Sequence, residues 1–444
     1  MVDNSNNIFL TEDIGELFRK FVIPSSIAML ISGIQGIIDG VFVGNFIGVN
    51  VMASVNIASP FLMFFISIGL VISSGAQSQI GIALGENNID RGKNAFKTAF
   101  LSLLASGCFI TFISLFFSDN IATLLGANDV LVNYSSNYIE AIAMISVPAL
   151  LYFLFGMSTK LINKPHLYLY GSILSIFVNM FLNFILIYVF KLGTFGAGLA
   201  TGLSYSCSLF IVTIDFLKKD TIINIFDGKF DFRLLGKIIY NGSSEGISTL
   251  STGIVSLLFN LSLMNLVGEM GVAAFTTISY LSQFGTTLMF GISDGIASIV
   301  SYNFGAKYFD RVKDILKLAL KSSLFIGIVV FLIISFFKSN LNSLFVKDDI
   351  KVLNLAVKGA SIYSFAFLFN GINIVIAAFF TAIGYAKESA IISVLRGLVF
   401  VSISILVLGN IFLTNGIWMS VPCAEILTFI IAIFMINKEF KTMV

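Results

Sequence analysis

Long apolar blocks that carry almost no charge restrict the fold of this chain more than any other feature. Residues 96–117, 167–190, 318–337 and 398–413 are four such blocks of 16 to 24 residues. About 20 residues at a rise of 1.5 Å cross the ~30 Å hydrocarbon layer of a bilayer, so each block is long enough to span it. Backbone amides find no water at that depth, and the short alternating segments typical of a barrel are absent, so the spans are predicted to be helices.

The overall composition agrees with a chain that lies mostly in the membrane. Only 11% of the residues are charged, whereas a soluble domain carries about 25%. We therefore predict an all-α polytopic membrane protein with twelve transmembrane helices. The predicted spans are 21–44, 52–82, 96–117, 135–161, 167–190, 196–217, 242–266, 273–301, 318–337, 356–383, 389–412 and 416–437.

The distribution of basic residues between the loops predicts the orientation. With twelve spans, 20 of the 26 Lys and Arg residues fall on the side of the two termini and five on the other, while Arg396 lies within a span. Cytoplasmic loops carry the excess of basic residues. We therefore expect a multi-pass protein of the inner (plasma) membrane with both termini in the cytoplasm.

The two halves of the sequence are related by a shift of 220 residues. Between 48–100 and the shifted segment there are 14 identities in 53 positions without a gap, and they include Asp90, Arg91, Lys93 and Lys97. Matched charges are not explained by a shared apolar bias. The sequence thus predicts two parallel six-helix repeats, an arrangement found in secondary transporters.

The repeat also predicts the domain organisation. Residues 1–217 form an N-terminal six-helix lobe, 218–241 a polar cytosolic linker, and 242–444 a C-terminal six-helix lobe.

Several classes of function have no support in the sequence. No Walker loop, HExxH motif or nucleophile elbow occurs, and the single histidine leaves no plausible catalytic triad, so we expect neither an enzyme nor a cofactor. No cluster of basic residues with interleaved aromatics is present, so nucleic acid is not an expected partner. We expect a monomer in contact with membrane lipid.

Asp39 is the strongest candidate for chemistry inside the membrane. It lies about two-thirds along span 1, with Gln35 one turn before it on the same face, and Gly36 and Gly40 are predicted to let neighbouring helices approach closely. A buried carboxylate of this kind can exchange a proton or Na⁺ as its hydration changes. The alternative is an aspartate that is permanently paired with a polar neighbour.

Three polar residues of spans 5 and 6 are candidates for the same cation-coupling site. Asn179 and Asn183 are one turn apart in span 5, and their amide oxygens could coordinate Na⁺ or hold a carboxylate. Thr201 of span 6 could add a further oxygen. The alternative for the asparagines is interhelical packing, where such hydrogen bonds contribute about 0.6 kcal/mol. A metal site is therefore limited to possible Na⁺ near Asp39 and Asn179.

The other ionisable residues within spans are candidates for a substrate cavity, because a charge at the bilayer centre costs roughly 2.5–3.5 kcal/mol. Glu245 lies near the predicted start of span 7, where it is either a cavity acid or a capping acid stabilised by the helix dipole. Asp294 lies deeper in span 8. Arg396 and Glu425, on spans 11 and 12, predict an intramembrane ion pair as the alternative to a cavity role. Glu140, near the outer end of span 4, is predicted to be hydrated.

Several motifs together resemble those of the MATE family (multidrug and toxic compound extrusion), within the MOP superfamily. They are IDGVFVGNFIG in span 1, Pro60, SGAQSQIGIALG at the end of span 2, and GEMGVAAFTTISY and GISDGIASIVSYNFGA in the second half. The resemblance covers about 14–437 and is strongest to the bacterial DinF-like branch.

This resemblance implies alternating access and multidrug efflux of cationic amphipathic compounds in exchange for H⁺ or Na⁺. The acid of span 1 in that branch falls on Asp39, the asparagine of span 5 on Asn179, and the threonine of span 6 on Thr201. Four residues after the asparagine the branch often has an aspartate, where this chain has Asn183. The missing negative charge favours protons over Na⁺.

Two other functions remain as alternatives at this stage. A flippase for a lipid-linked glycan precursor in the same superfamily should have a cavity rich in Arg and Lys, whereas Arg396 is the one basic residue that lies deep within a predicted span. A membrane-embedded enzyme or a channel is the other alternative, and a channel would give a flux far above transporter turnover.

Overall fold

The structure is a computed structural model that describes residues 7–46, 49–343 and 349–443. Within these ranges the chain contains helices and turns and no β-strand. Eleven of the described helices are long and apolar enough to cross a membrane, and there are twelve if one bent pair is taken as a single span. The prediction of an all-α polytopic membrane protein is therefore confirmed.

The helices of the first half begin with a short N-terminal turn of helix and then follow the predicted spans 1 to 6. They are α1 Ile8–Thr11, α2 Ile14–Phe46, α3 Val49–Gly85, α4 Ile89–Leu124, α5 Val132–Met144, α6 Ser146–Leu161, α7 Pro165–Asn183 and α8 Gly193–Thr213. A π-helical segment, Phe184–Val189, continues α7 directly after Asn183.

The helices of the second half follow the predicted spans 7 to 12. They are α9 Phe232–Val267, α10 Glu269–Gly305, α11 Phe309–Ser343, α12 Ile350–Tyr363, α13 Phe367–Ala382, α14 Ala386–Val394, α15 Phe400–Phe412 and α16 Thr414–Thr442. Spans 10 and 11 are continuous through the short segments Ser364–Ala366 and Leu395–Val399, the second of which is π-helical.

The 220-residue repeat is visible in the backbone as well as in the sequence. Asn87 and Lys307, which are related by the shift, have φ of 59° and 63° and end α3 and α10. The kinks inside α4 and α11 fall at the related positions Phe117 and Phe337. Because turn and kink geometry is independent of apolar bias, these matches support a true structural repeat.

Several helices extend beyond their predicted spans, and the structure differs from the prediction most clearly in spans 7 and 4. The helix of span 7 begins at Phe232 instead of residue 242, so it includes the last part of the predicted linker. Span 4 is not one straight helix, because α5 and α6 meet at an angle of 53°. The break at Ile145 lies between them, three residues before Pro148, whose ring removes a helix hydrogen bond in the first turn of α6.

The chain forms two compact units whose boundaries cut through two helices. The first unit contains residues 1–11 and 27–242, and the second contains 12–26 and 243–444. The first turns of α2 therefore belong to the second unit, and the first turns of α9 belong to the first unit.

Glycines allow these exchanged segments to pack closely within each unit. In the first unit a Cβ on Gly75 would lie 2.0 Å from the backbone oxygen of Ile238, and one on Gly242 would lie 1.8 Å from that of Val71. In the second unit a Cβ on Gly295, the repeat partner of Gly75, would lie 2.6 Å from Cα of Val22. The backbones touch at these points, so any larger side chain would force the helices apart.

Candidate functional site

Asp39 lies in the part of α2 that belongs to the first unit, and its side chain is half-buried. The neighbouring glycines do not play the predicted packing role. A Cβ on Gly36 or on Gly40 would meet no atom within 4 Å, so the helix has open space at these positions instead of a tightly packed neighbour. The glycines thus leave room beside Asp39 instead of bringing another helix against it.

The structure brings Asp39 together with three of the four polar residues that the sequence indicated. The Asn183 Nδ2 donates to Asp39 Oδ1 at 2.7 Å and to Asn179 Oδ1 at 3.1 Å. The Thr201 hydroxyl lies 3.3 Å from Asp39 Oδ2. Asn179 and Asn183 are 0% and 1% exposed, so this cluster is fixed inside the unit. Hydrogen bonds to an ionised acceptor are the stronger kind in proteins.

Gln35 lies beside this cluster but does not bind Asp39. Its Nε2 donates to Ser204 Oγ at 3.3 Å, and its Oε1 accepts a hydrogen bond from Ser175 at 3.0 Å. Ser204 in turn donates to the backbone oxygen of Thr201 at 2.7 Å. Gln35, which the sequence indicates as a further candidate of the cation-coupling site, thus contacts Asp39 indirectly, through the turn of α8 that carries Thr201, and its role there stays a prediction.

The sequence analysis missed Ser175 and Ser204. A usable signal existed, because Ser175, Asn179 and Asn183 recur every four residues and so lie on one face of α7. Single serines in membrane helices usually bond their own backbone, so this spacing was easy to overlook.

The charge environment of Asp39 is free of basic side chains in the part of the chain that the structure describes. No Lys or Arg nitrogen lies within 4.0 Å of its carboxylate there, and its donors are the neutral groups of Asn183 and Thr201. Buried Tyr138 and half-buried Tyr205 lie within electrostatic range of Asp39. A buried carboxylate without a cationic partner needs an exchangeable cation to be neutral.

The oxygen atoms around Asp39 suit a small cation. Asn183 Oδ1 is buried and has no hydrogen-bond partner, so it is an acceptor that a Na⁺ ion or a protonated carboxyl group would satisfy. The described residues contain no group of three or more His, Cys, Asp or Glu side chains suited to a metal ion. Carboxylate, amide and hydroxyl oxygens fit Na⁺. The Asn183 amide, however, donates one N–H to Asp39 and the other to Asn179, which fits a carboxylate that exchanges a proton.

The second unit holds its own buried acid. Glu425 of α16 is 3% exposed and accepts hydrogen bonds from Asn370 at 2.8 Å and from Asn373 at 2.7 Å. Arg396 Nε lies 3.1 Å from Glu425 Oε1. The predicted ion pair between spans 11 and 12 is therefore present, and the two asparagines of α13 are partners that the sequence analysis did not identify.

The remaining intramembrane acids have separate surroundings. Glu245 lies about three and a half turns beyond Phe232, so the interpretation of Glu245 as a capping or first-turn acid is wrong. It lies within electrostatic range of Asp294 and of Arg396. Glu140 accepts a hydrogen bond from Ser118 at 2.6 Å, so it links α4 to α5 and is not merely hydrated.

These features define a class of protein: a polytopic helical membrane protein of two structural repeats, with a half-buried carboxylate among neutral polar groups in one unit. That is the architecture of a secondary transporter. The chain belongs to the MatE family, whose sequence profile matches it twice, over residues 24–185 and 246–406. The two matches correspond to the two repeats.

Relatives and solved structures cover nearly the whole chain. The multidrug export protein MepA of Staphylococcus aureus (strain bovine RF122 / ET3-1) is 24% identical over 98% of this chain and 96% of its own length. MepA of Staphylococcus haemolyticus (strain JCSC1435) is 25% identical over the same shares. A crystal structure of MATE in complex with MaL6 matches with a TM-score of 0.92, at 21% identity and 98% coverage of both chains. An outward-facing multidrug resistance MATE family transporter of the MOP superfamily gives the same values.

Proposed function

We propose that this protein is a cation-coupled antiporter that exports cationic, amphipathic organic compounds by alternating access. The observation that carries the proposal is the half-buried carboxylate of Asp39, which is held by neutral donors and has no basic partner among the described residues. Such a group is neutralised only by a cation that enters and leaves, and this is what coupling requires.

The hydrogen bonds around Asp39 suggest how cation binding changes the site. The Thr201 hydroxyl has one proton and two acceptors within reach, Asp39 Oδ2 at 3.3 Å and the backbone oxygen of Ala197 at 3.2 Å. It donates to Asp39 when the carboxylate is ionised. When Asp39 carries a proton or Na⁺, the hydroxyl donates to Ala197 and its oxygen becomes an acceptor. A cation thus changes which groups α2 and α8 bind, and coupling requires such a difference between two states.

The substrate class rests on the relatives and on the charge of the chain. The staphylococcal relatives are multidrug export proteins that align with 98% of this chain. Unpaired buried acids such as Asp39 favour cationic over anionic substrates. The four residues Glu245, Asp294, Arg396 and Glu425 remain our candidates for the substrate cavity.

We favour protons over Na⁺ as the coupling ion. Asn183 places a donor, not an oxygen, 2.7 Å from Asp39 Oδ1. A Na⁺ ion bound there would require the amide to turn, whereas a proton on Asp39 Oδ2 requires no rearrangement of Asn183. An aspartate in place of Asn183 would add one negative charge beside Asp39, so residue 183 is suited to determine which ion binds.

Efflux of ethidium from preloaded right-side-out vesicles under separately imposed pH and Na⁺ gradients tests the proposal. Asp39→Asn should abolish gradient-driven efflux while the protein is still inserted and purified in normal amount. Glu140→Gln is the matched control, because Glu140 is also a hydrogen-bonded acid of the first unit but lies outside the Asp39 cluster. Efflux by Asp39→Asn at the unmodified rate would refute the coupling role.

The alternative of a lipid-linked glycan flippase has weaker support. Recognition of a pyrophosphate group requires unneutralised basic side chains, and Arg396 is already paired with Glu425. Transport of a pyrophosphate-linked lipid without a cation gradient would favour this alternative.

A further inference from the structure

The acid of the second unit is surrounded by donors on every side. Glu425 Oε1 accepts hydrogen bonds from Asn370 Nδ2 at 2.8 Å and from Arg396 Nε at 3.1 Å, and Oε2 accepts one from Asn373 Nδ2 at 2.7 Å. Asn373 also donates to the backbone oxygen of Glu425 at 2.8 Å. Three N–H donors thus bind the carboxylate, and a fourth hydrogen bond binds the backbone oxygen of the same residue.

Arg396 supplies the charge that balances this carboxylate. Its side chain is 14% exposed and that of Glu425 is 4% exposed, so neither charge is compensated by water. Arg396 lies in the π-helical segment Leu395–Val399, a local widening of the helix of span 11. Such segments are rare and occur mainly where a side chain must be placed for function. The pair is neutral as a whole, and such pairing lowers the free-energy cost of keeping both charges inside a membrane protein.

The two acids are not copies of one another. The 220-residue shift relates Asp39 to Phe259 and Glu425 to Tyr205, so each acid arose on a different helix of the repeat. Each acid is hydrogen-bonded by asparagine from one neighbouring helix: Asn183, which also donates to Asn179, binds Asp39, and Asn370 and Asn373 both bind Glu425. The difference is the cation: Glu425 has Arg396, and Asp39 has none among the described residues.

We propose that Arg396 is a tethered cation that occupies, on Glu425, the place that an exchangeable cation takes on Asp39. The second unit therefore binds no proton or Na⁺ at its buried acid, and each transport cycle exchanges its coupling cation at Asp39 alone. The assignment of cation exchange to Asp39 rests on the proposed antiport, whereas the role of Arg396 as the cation bound to Glu425 does not.

Other titratable groups close to the pair must be considered in any test. Tyr363 of α12 and Glu245 of α9 lie within electrostatic range of Arg396, and Asp294 of α10 lies within range of Glu245. Removal of Arg396 could therefore create a cation site at Glu425 or, in a competing explanation, at Glu245. A variant that also lacks the Glu425 charge separates the two.

The deciding experiment measures thermal stability of the purified full chain in detergent, in an Asp39→Asn background so that the first acid cannot titrate. Arg396→Met removes the tethered charge and keeps an unbranched side chain at this position. The melting temperature of this variant should rise by about 2–4 °C or more when pH falls from 8 to 5, or when NaCl replaces choline chloride, because a cation that binds only the folded state stabilises it. The Asp39→Asn chain itself should show no such dependence.

A further variant with Arg396→Met and Glu425→Gln should lose this dependence, because no charge remains to be neutralised. The proposal is overturned if the Arg396→Met chain shows no dependence on pH or Na⁺, or if the dependence persists with Glu425→Gln, which would place the cation at Glu245. If Arg396→Met cannot be purified at pH 8, the proposal requires recovery at pH 5 or in high Na⁺. The proposal is also overturned if the Arg396→Met chain cannot be purified under any of these conditions while the variant with Arg396→Met and Glu425→Gln purifies normally.

A transport measurement adds a separate readout. With Asp39 intact, Arg396→Met should couple about one more cation per exported ethidium, measured from the gradient at which net flux reverses. If the protein is not an antiporter, the number of coupled cations cannot change, but the dependence of the melting temperature on pH and Na⁺ is still expected. A failure of the proposed antiport can therefore be distinguished from a failure of the proposed role of Arg396.

Discussion

Replacement of Asn183 by Asp is the most direct test of how this site selects its cation. The amide nitrogen that now donates to Asp39 Oδ1 at 2.7 Å would become a second carboxylate oxygen at a similar distance. Two unit charges that close repel by about 6 kcal/mol at an effective dielectric constant of 20, so the pair is expected to bind a cation between its oxygens more tightly than Asp39 alone does.

The size of the effect follows from the hydrogen bond that is lost. A hydrogen bond to a charged group contributes about 1.5–3 kcal/mol, and the bond from Asn183 has this strength only while Asp39 is ionised, because a neutral carboxyl group is a weaker acceptor. Its loss should raise the apparent affinity for a cation by about 10- to 100-fold, and the added charge should raise it further. Asn183→Asp should therefore make ethidium efflux strongly stimulated by a Na⁺ gradient.

The assay is ethidium efflux from vesicles at fixed pH with Na⁺ or choline on the outside. Asn183→Ala is the matched control, because it removes the donor without adding a charge, and it should change cation affinity without creating Na⁺ stimulation. If Asn183→Asp and the unmodified protein respond equally to Na⁺, the residue does not determine ion choice and the role we assign to it is refuted.

Three further predictions concern packing, backbone strain and the linker. Gly75→Ala should destabilise the folded protein by about 1–3 kcal/mol, because its Cβ would lie 2.0 Å from the backbone oxygen of Ile238, and the melting temperature should fall. Leu413→Gly should raise the melting temperature by relieving about 1 kcal/mol of strain, because Leu413 has φ of 52°. Hydrogen bonds from Lys93, and then from Asn224, hold the pKa of Asp227 below its ordinary value, so linker docking should persist at neutral pH and weaken only as pH falls below about 4. Hydrogen exchange of the linker amides should follow that pH dependence, and Asp227→Asn should accelerate exchange at pH 7.

Each of these predictions has a control within the chain. Gly236→Ala should be neutral or slightly stabilising, because no atom lies within 4 Å of its Cβ. Leu406→Gly, at an exposed helical position, should destabilise where Leu413→Gly stabilises. The reasoning on packing fails if Gly75→Ala and Gly236→Ala melt alike, and that on strain fails if both leucine variants lower the melting temperature. Unchanged exchange of the Lys229 amide, which donates to Asn94 Oδ1, would contradict the predicted linker release.

The sequence was sufficient to predict the fold because hydrophobic length and repetition are local properties that the bilayer enforces. It was less informative about where helices begin. Hydrophobicity marks the part of a helix that meets lipid, and α9 extends from Phe232 through polar residues that give no such signal. The bend at Ile145 lies beside Pro148, but a proline in a membrane span does not by itself show whether the helix breaks there.

The candidate site could be predicted in part for a similar reason. An acid, two amides and a threonine in apolar spans are costly there, so Asp39, Asn179, Asn183 and Thr201 stand out individually. Their partners are set by tertiary contacts. The bond of Gln35 to Ser204 instead of Asp39 depends on which turn of α8 lies opposite, and no pattern in the sequence reports this.

The exchange of helix ends between the two compact units has a consequence for biogenesis. A fragment that stops at residue 217 lacks the turns of α9 that cover Gly75, and a fragment that starts at 218 lacks residues 12–26, which cover Gly291 and Gly295. Neither fragment therefore contains all the segments that pack into its own compact unit. The first unit can therefore be completed only after the start of the seventh span has been synthesised.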